Sequence, residues 1–200
     1  TWAEGVELIY RKMLAILEMI APLADDEVRI WKQTRTGLLS YPLEDNAARA
    51  HLSASIYHQM NLKPDIIHIV GHTEADHAAT GADVINVALM ARRAIENAMR
   101  GQPDGTQDPA VKARKDQLVE DTRALLRAIQ EMAPQDAVDA FTDPQTLTRA
   151  VTSGLMDAPQ LKNNRFGRGM VRTRIVGGAC VAVGEDGEPL AEQDRIKKVI

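Results

Sequence analysis

The chain has 200 residues, room for one domain or part of a larger protein, and 24 Lys and Arg stand against 28 Asp and Glu for a formal net charge of −4. That balance argues against a nucleic-acid binder driven by charge. Hydrophobic residues at 44% and charged residues at 26% match globular proteins that bury a core and exclude wholesale disorder. The single cysteine, Cys180, allows no internal disulfide and no multi-thiolate zinc site, which fits a reducing compartment. No apolar run approaches the roughly 20 residues that span a bilayer, and no signal peptide is evident, so a soluble cytoplasmic protein is expected. The chain opens at Thr1-Trp2-Ala3 without methionine and is helical in pattern almost at once, as expected of a piece of a longer polypeptide.

Residues 3–20 carry Val6, Ile9, Tyr10, Met13, Ile16, Leu17 and Ile20 at spacings of three and four, predicting an amphipathic helix that ends at Pro22. A long polar connection follows through Thr34-Arg35-Thr36-Gly37 to Tyr41-Pro42, of a kind that often carries ligand contacts. A second helix is predicted from about Glu44 to Met60, broken at Asn61-Leu62-Lys63-Pro64. Asp65-Ile66-Ile67-His68-Ile69-Val70 is the most strand-like run, apolar on both faces as in a buried parallel strand. After Gly71 comes a short polar loop, then a helix from about Ala82 to Met99. Asp108-Pro109 starts a charged helix that runs to about Met132, and Asp143-Pro144 starts a shorter one that ends near Gly154, each pairing an Asp N-cap with Pro at the first helical position. A loop, a small hairpin around Gly177-Gly178 and a terminal helix from about Leu190 complete the pattern. The helix, strand, loop, helix order predicts an α/β fold.

The densest chemistry falls at the carboxyl end of the predicted strand, in His72-Thr73-Glu74-Ala75-Asp76-His77. Titratable groups gathered on rigid supports at a strand end are what a catalytic mouth requires. Three readings remain open for these residues. They can contact a polar cofactor or substrate through Thr73 and Glu74. They can bind a metal through His72, His77 and a carboxylate, although two histidines five apart match neither HExxH nor a Cys/His zinc pattern. Or Thr73 or Asp76 caps the next helix while the histidines fill hydrogen-bonding positions.

Other patterns carry less. Asp65 and His68 with Gly71 approximate the Asp-x-His-x-x-Gly signature of a cobalt-ligating histidine, but one residue too many separates Asp65 from His68. His68, inside the strand, is expected to be a satisfied core histidine. His51 and His58, seven apart on one helical face, are expected to pack or hydrogen-bond. Gly167-Arg168-Gly169 lacks the strand and third glycine of a dinucleotide loop. Lys63 and Lys162 sit alone in turns, giving no Schiff-base site. Arg165, Arg168, Arg172 and Arg174 form a local cationic cluster that can hold a carboxylate or phosphate or face solvent or a subunit. Cys180, in an apolar run with no base beside it, is expected in the core.

The segment Ile66 to His77, with its core Gly-x-(x)-Thr-Glu-Ala-x-His and a following helix holding Ala91 and Arg92, resembles the large subunit of adenosylcobalamin-dependent lysine 5,6-aminomutase and D-ornithine 4,5-aminomutase. A looser likeness runs from Leu147 to Gly154 and through the glycine-rich stretch from Asn163 to Gly178. The resemblance implies the carboxyl-terminal part of a TIM-type barrel over residues 1–133 and, over 134–200, a helix, glycine-rich loop and small hairpin extension. It implies an isomerase that moves an amino group between neighbouring carbons of a diamino acid by radical chemistry, with adenosylcobalamin and with or without pyridoxal phosphate. Glu74 would orient the adenosyl group and is the catalytic candidate, with His72, Thr73 and His77 as cofactor-binding neighbours; no metal ligand is assigned. The implied partners are a Rossmann-like cobalamin-binding domain or subunit and a small amino-acid substrate, with no nucleic acid or membrane, in an oligomer. His72 and Asp76 stand where that family has apolar residues, so the substrate is left open. The rival expectations are a metal-dependent TIM-barrel hydrolase using His72, His77 and Asp76, and a non-catalytic assembly subunit.

Overall fold

A computed structural model describes residues 2–36, 41–74, 76–176 and 179–200. More than half of the chain is helical, and it divides into two compact units, residues 9–112 and residues 113–200 with 1–8. The first helix, α1 (Trp2–Ile20), ends in a single 3-10 turn at Ala21–Leu23 that holds Pro22, because proline donates no N–H to continue the ladder.

In the unit formed by residues 9–112, β1 (Gln33–Arg35) and β2 (Ile66–His68) pair in parallel, with Thr34 opposite Ile67. The helices α2 (Asp45–Gln59) and α3 (Gly81–Met99) cover one face of this pair. Leu52 and Ile56 from α2, Val87 and Ala91 from α3, and Val70 and Tyr41 form the core, with Ile67 and Ile69 packed against it. Glu44 caps α2 by accepting from the N–H groups of Asn46 and Ala47. At the other end of this unit the Tyr10 hydroxyl donates to the His58 carbonyl at 2.8 Å and accepts from Asn61 at 2.9 Å.

The strand departs from expectation in its burial and in the place of His68. The strand is parallel, but it packs on one face only, where Ile67 and Ile69 are half-buried: Ile66 is 44% exposed and His68 is exposed as well. His68 is therefore not a core histidine. The physical reason is that helices lie over the Ile67 and Ile69 side alone, so the period-two alternation of a strand turns Ile66 and His68 outward. On α3, Val84, Ile85 and Leu89 are also exposed.

β1 has no apolar run to announce it, and its polar Gln-Thr-Arg is held largely by main-chain pairing and by Thr36. Thr36 Oγ1 donates to the Val70 carbonyl at 3.1 Å and accepts from the Val70 N–H at 2.7 Å, extending the pairing past the strand ends. Thr36 and Val70 are each 1% exposed. Thr36→Val should therefore strip a buried N–H of its acceptor and lower stability by about 2 kcal/mol, measured as a shift in the chemical denaturation midpoint; a variant as stable as the parent would show that this clamp contributes nothing.

In the unit formed by residues 113–200, α4 (Pro109–Met132), which begins in the first unit, and α5 (Pro144–Ser153) pack through Ala128, Ile129, Ala150 and Leu155. Asp143 caps α5 by accepting from the Thr146 N–H at 2.7 Å, and Gly154 at φ +88 ends it, a left-handed position suited to glycine. A hairpin follows, β3 (Arg172–Val176) antiparallel to β4 (Ala179–Val183), and then α6 (Glu192–Lys197), whose Ile196 joins the α4–α5 core. Gly177 and Gly178, expected at the hairpin turn, lie outside the described residues. Cys180 is exposed, not in the core: it pairs with Ile175 near the turn end of the hairpin, beyond the half-buried Ala182 on the same face of β4. The described strands form one two-stranded parallel sheet and one two-stranded hairpin, and no barrel closes among them. Among the described residues no helix is long and apolar enough to cross a membrane.

Candidate functional site

The site is built where β2 gives way to the loop before α3. The chain leaves the sheet at Val70, held by Thr36 and by the Tyr41 hydroxyl, which donates to the Val70 carbonyl at 2.8 Å. Burial raises the Tyr41 pKa, a hydrogen bond with Thr36 opposes this, and the nearby negative charge of Glu74 raises it further. Tyr41 therefore stays a proton donor throughout the neutral range. These three contacts fix the direction in which residues 71–77 depart.

The loop then turns back on itself. The Glu74 N–H donates to the Gly71 carbonyl at 3.2 Å, and the Asp76 and His77 N–H groups both donate to the Thr73 carbonyl, at 3.0 and 2.8 Å. Ala75 lies outside the described residues. The turn separates the predicted residues into two groups. His72 and Thr73 point inward, each 4% exposed. Glu74, Asp76 and His77 face outward.

The inward pair has unspent hydrogen-bonding capacity. Among the described residues, Thr73 Oγ1 and both His72 ring nitrogens are buried without a hydrogen-bond partner. His72 Nε2 does lie 3.3 Å from Asp45 Oδ1, close enough for an ion pair if the ring is charged, but the contact lacks the direction of a hydrogen bond. Thr34 Oγ1, on β1, is buried and unpartnered as well. Buried polar atoms left open are rare, because each costs about 1–3 kcal/mol of desolvation with nothing in return. His72→Leu should thus leave stability unchanged or raise it slightly; a large loss in the thermal midpoint would mean that the ring has a structural partner.

The outward group is arranged differently. Glu74 Oε1 accepts from the Gly71 N–H at 3.3 Å, and no side chain pairs with this carboxylate among the described residues, so it stands at the loop tip with acceptor capacity to spare. His77 Nδ1 lies 2.8 Å from Asp76 Oδ2, both well exposed. The structure thus brings His72 next to Thr73 and His77 next to Asp76, but it does not gather all four predicted residues with Glu74 on one face.

The expected capping role goes elsewhere. α3 is capped by Thr80, whose Oγ1 accepts from the Asp83 N–H while the Asp83 carboxylate takes the Thr80 N–H. The hydrogen bonds from the Thr80 hydroxyl and N–H hold Asp83 below the usual carboxylate range, with His77 and His72 contributing in the same direction. Neither Thr73 nor Asp76 is needed for that helix start, which leaves the Thr73 hydroxyl without the structural role that sequence allowed it.

The metal arrangement finds no ligand set here. His72 is turned toward Asp45 and His77 toward Asp76, and among the described residues no group of three or more His, Cys, Asp or Glu is placed to hold a metal ion. His51 and His58 pack as their spacing implied: His51 stands edge-on to Tyr41 with ring centroids 5.4 Å apart, and burial lowers the His58 pKa. Asp65 is structural, accepting from the Lys32 N–H at 2.8 Å.

Sequence reasoning missed Thr34, Thr36, Tyr41 and Asp45 as individual residues. The polar loop from Thr34 to Tyr41 was a usable signal that this segment approaches the mouth, whereas the approach of Asp45 to His72 needed the tertiary fold. No protein-family model and no curated protein matches this chain.

Proposed function

We propose that this chain is a portion of the catalytic subunit of an adenosylcobalamin-dependent radical mutase, most directly one that shifts an amino group on a diamino acid. The observation that carries the reading is the loop after β2, where Glu74 offers a pinned, accessible carboxylate beside buried, unpartnered atoms of His72 and Thr73. These residues fit a polyol-bearing cofactor such as the adenosyl group. A carboxylate accepts two neighbouring hydroxyls at once on the outer side of the turn, while the unspent Thr73 hydroxyl and His72 imidazole face its inner side. Bound there, adenosylcobalamin would supply the radical chemistry, with Glu74 as the residue that would hold its ribose.

The residues of this chain bind and orient. Glu74 accepts hydrogen bonds from ribose hydroxyls, and the Gly71 N–H restrains its carboxylate through Oε1. Tyr41 and Thr36 fix Val70, so the loop departs in one direction and the carboxylate keeps its place, which is the precision that positioning requires. Thr73 and His72 keep polar atoms available on the inner side of the turn. His77, tied to Asp76, is an outer neighbour and not a direct contact.

The one-sided β1–β2 pair supports the finer architectural reading. Parallel strands are ordinarily covered on both faces, and the exposed Ile66 together with Val84, Ile85 and Leu89 on α3 fits a segment that continues into a larger TIM-type barrel. The reading includes a Rossmann-like cobalamin-carrying domain or subunit as partner and a cytoplasmic oligomer as the working assembly. Pyridoxal phosphate is left as an optional second cofactor.

The test uses the complete enzyme with its partner. Incubation with adenosylcobalamin should give a retained cobalamin spectrum that changes on anaerobic addition of the correct diamino acid. Glu74→Gln should fold normally and lower turnover by about tenfold to a hundredfold, the cost of one charged hydrogen bond. A complete assembly that fails to retain cobalamin would sink the reading, and unchanged turnover in the Glu74 variant would remove the role given to that residue.

A further inference from the structure

The arginine cluster near the carboxyl end is not used by the proposed mutase site, and it borders a cavity. A pocket of about 130 Å³ lies within the unit formed by residues 113–200, between the end of α5, residues 168–172, β4 and the end of α6. It adjoins a broader groove of about 1250 Å³, and the two share Met170, Val171, Arg172, Val183, Leu190 and Lys198.

The charges around the inner pocket can be accounted for one by one. Arg168 Nη1 donates to the Ser153 carbonyl at 2.7 Å. Arg195 is paired with Glu192 at 2.6 Å and donates to the carbonyls of Gly154 and Leu155 at 3.1 and 2.8 Å. The Asp157 carboxylate accepts from the N–H groups of Gly169, Met170 and Val171 at 2.7, 2.6 and 3.2 Å. Arg172 and Lys198 remain, and neither side chain has a hydrogen bond or ion pair among the described residues. Two unspent cations thus line one small concave space with apolar walls.

The wall bearing Arg172 is shaped in advance. Gly169 sits at φ +61, so close to the Lys162 backbone that a side chain there would overlap it, and Asp157 ties down its N–H and the two that follow. A loop held in this way fixes the start of β3 and presents Arg172 at low entropic cost to a ligand. The broader groove is lined by Glu185, Asp186 and Glu188 as well as by Lys162 and Arg174, a mixed surface that does not favour an extended polyanion.

We infer that this cavity is a binding site for a small phosphate monoester, with the phosphate between Arg172 and Lys198 and the organic body lying against Met170 and Leu190. A dianionic head matches two cations, and a guanidinium beside an ammonium is a common way to hold phosphate. Met170, 72% exposed, offers an adaptable apolar surface for the body. The inference does not rest on the mutase reading, since no residue is shared between the two sites.

Phenyl phosphate binding to the full chain, followed by calorimetry or by phosphorus NMR line broadening, tests it. Phenyl phosphate should bind more tightly than inorganic phosphate, and R172Q/K198Q should weaken it by at least about tenfold, the effect of losing charged hydrogen bonds. The charge-matched R100Q/R127Q, which lies off the cavity, should keep its affinity. Lys198→Gln alone, at an exposed residue without a partner, should show a partial loss and guards against a double variant that fails to fold. An equal loss in the charge-matched control, equal binding of inorganic phosphate, or displacement of phenyl phosphate by a single-stranded oligonucleotide would each overturn the assignment.

Discussion

Replacing Gly169 by alanine should destabilise the protein by about 3 kcal/mol or more, while the same replacement at Gly187 should cost only about 1 kcal/mol. Both glycines have positive φ, +61 and +81, so both substitutions carry the backbone penalty of a left-handed L residue. They differ in surroundings. A Cβ on Gly187 meets nothing within 4 Å, whereas one on Gly169 would overlap the Lys162 backbone and stand 2.7 Å from the Leu161 carbonyl carbon. The obstacle is main chain, not a flexible side-chain tip, so relief requires the Leu161–Lys162 turn to move. Urea denaturation of the two variants measures the difference, and equal shifts in midpoint would mean that the close crossing is not maintained in solution. The larger loss would also release the loop that carries Arg172.

Asp157→Ala should cost about 3 kcal/mol, by removing the acceptor of three backbone N–H groups in succession. Charged acceptors of this kind are among the stronger hydrogen-bonding arrangements, although the exposed Met170 N–H regains water and limits the loss. Burial pushes the Asp157 pKa up, but the N–H groups of Gly169, Met170, Val171 and Ala158 outweigh it and hold the group below its ordinary value of 3.8. The sign follows by linkage. A carboxyl whose folded pKa is depressed contributes its full stabilisation above the unfolded value and loses it as pH falls below 3.8 through the folded value. The stability gap between parent and Asp157→Ala should therefore be constant near neutrality and close progressively in acid below that value. A gap that persists unchanged through acid unfolding would show that the carboxylate is not the acceptor.

Much of the helical architecture was legible in the residues. α1, α2, α3, α4 and α5 begin and end close to where periodicity, Asp N-caps, Pro22, the Asn61–Pro64 breaker and Gly154 placed them. Those signals are local: a cap or a breaker acts on its own turn, whatever lies across the chain. The antiparallel hairpin of β3 and β4 was also foreseeable from the Gly177-Gly178 pair in the sequence between two short runs. β1 was not, because Gln-Thr-Arg has no strand-like apolar pattern and becomes a strand only through pairing with β2 and the Thr36 clamp on Val70.

Burial was harder to read than element type. The apolar run through β2 looked buried on both faces, yet Ile66 and His68 face outward, and Cys180 is exposed on β4. Composition reports how apolar a segment is, but only the placement of neighbouring layers decides which side they cover. The loop His72 to His77 could be singled out from sequence because titratable residues were concentrated after a strand. Its division into an inner pair and an outer group could not, since one turn of main-chain hydrogen bonds to Gly71 and Thr73 rotates adjacent side chains to opposite sides.

The sequence by itself determined the helices, their caps and the position of the polar loop after β2, because each is set by interactions within a few residues. Only the tertiary structure decided that Thr36 and Tyr41 converge on Val70, that Asp45 approaches His72, that Thr80 and not Thr73 caps α3, and that Arg172 and Lys198 line one cavity. Those outcomes join residues distant in the chain or select among neighbours with equal local claims, and the selection is made by burial and by which hydrogen-bond partners the packed elements leave unspent.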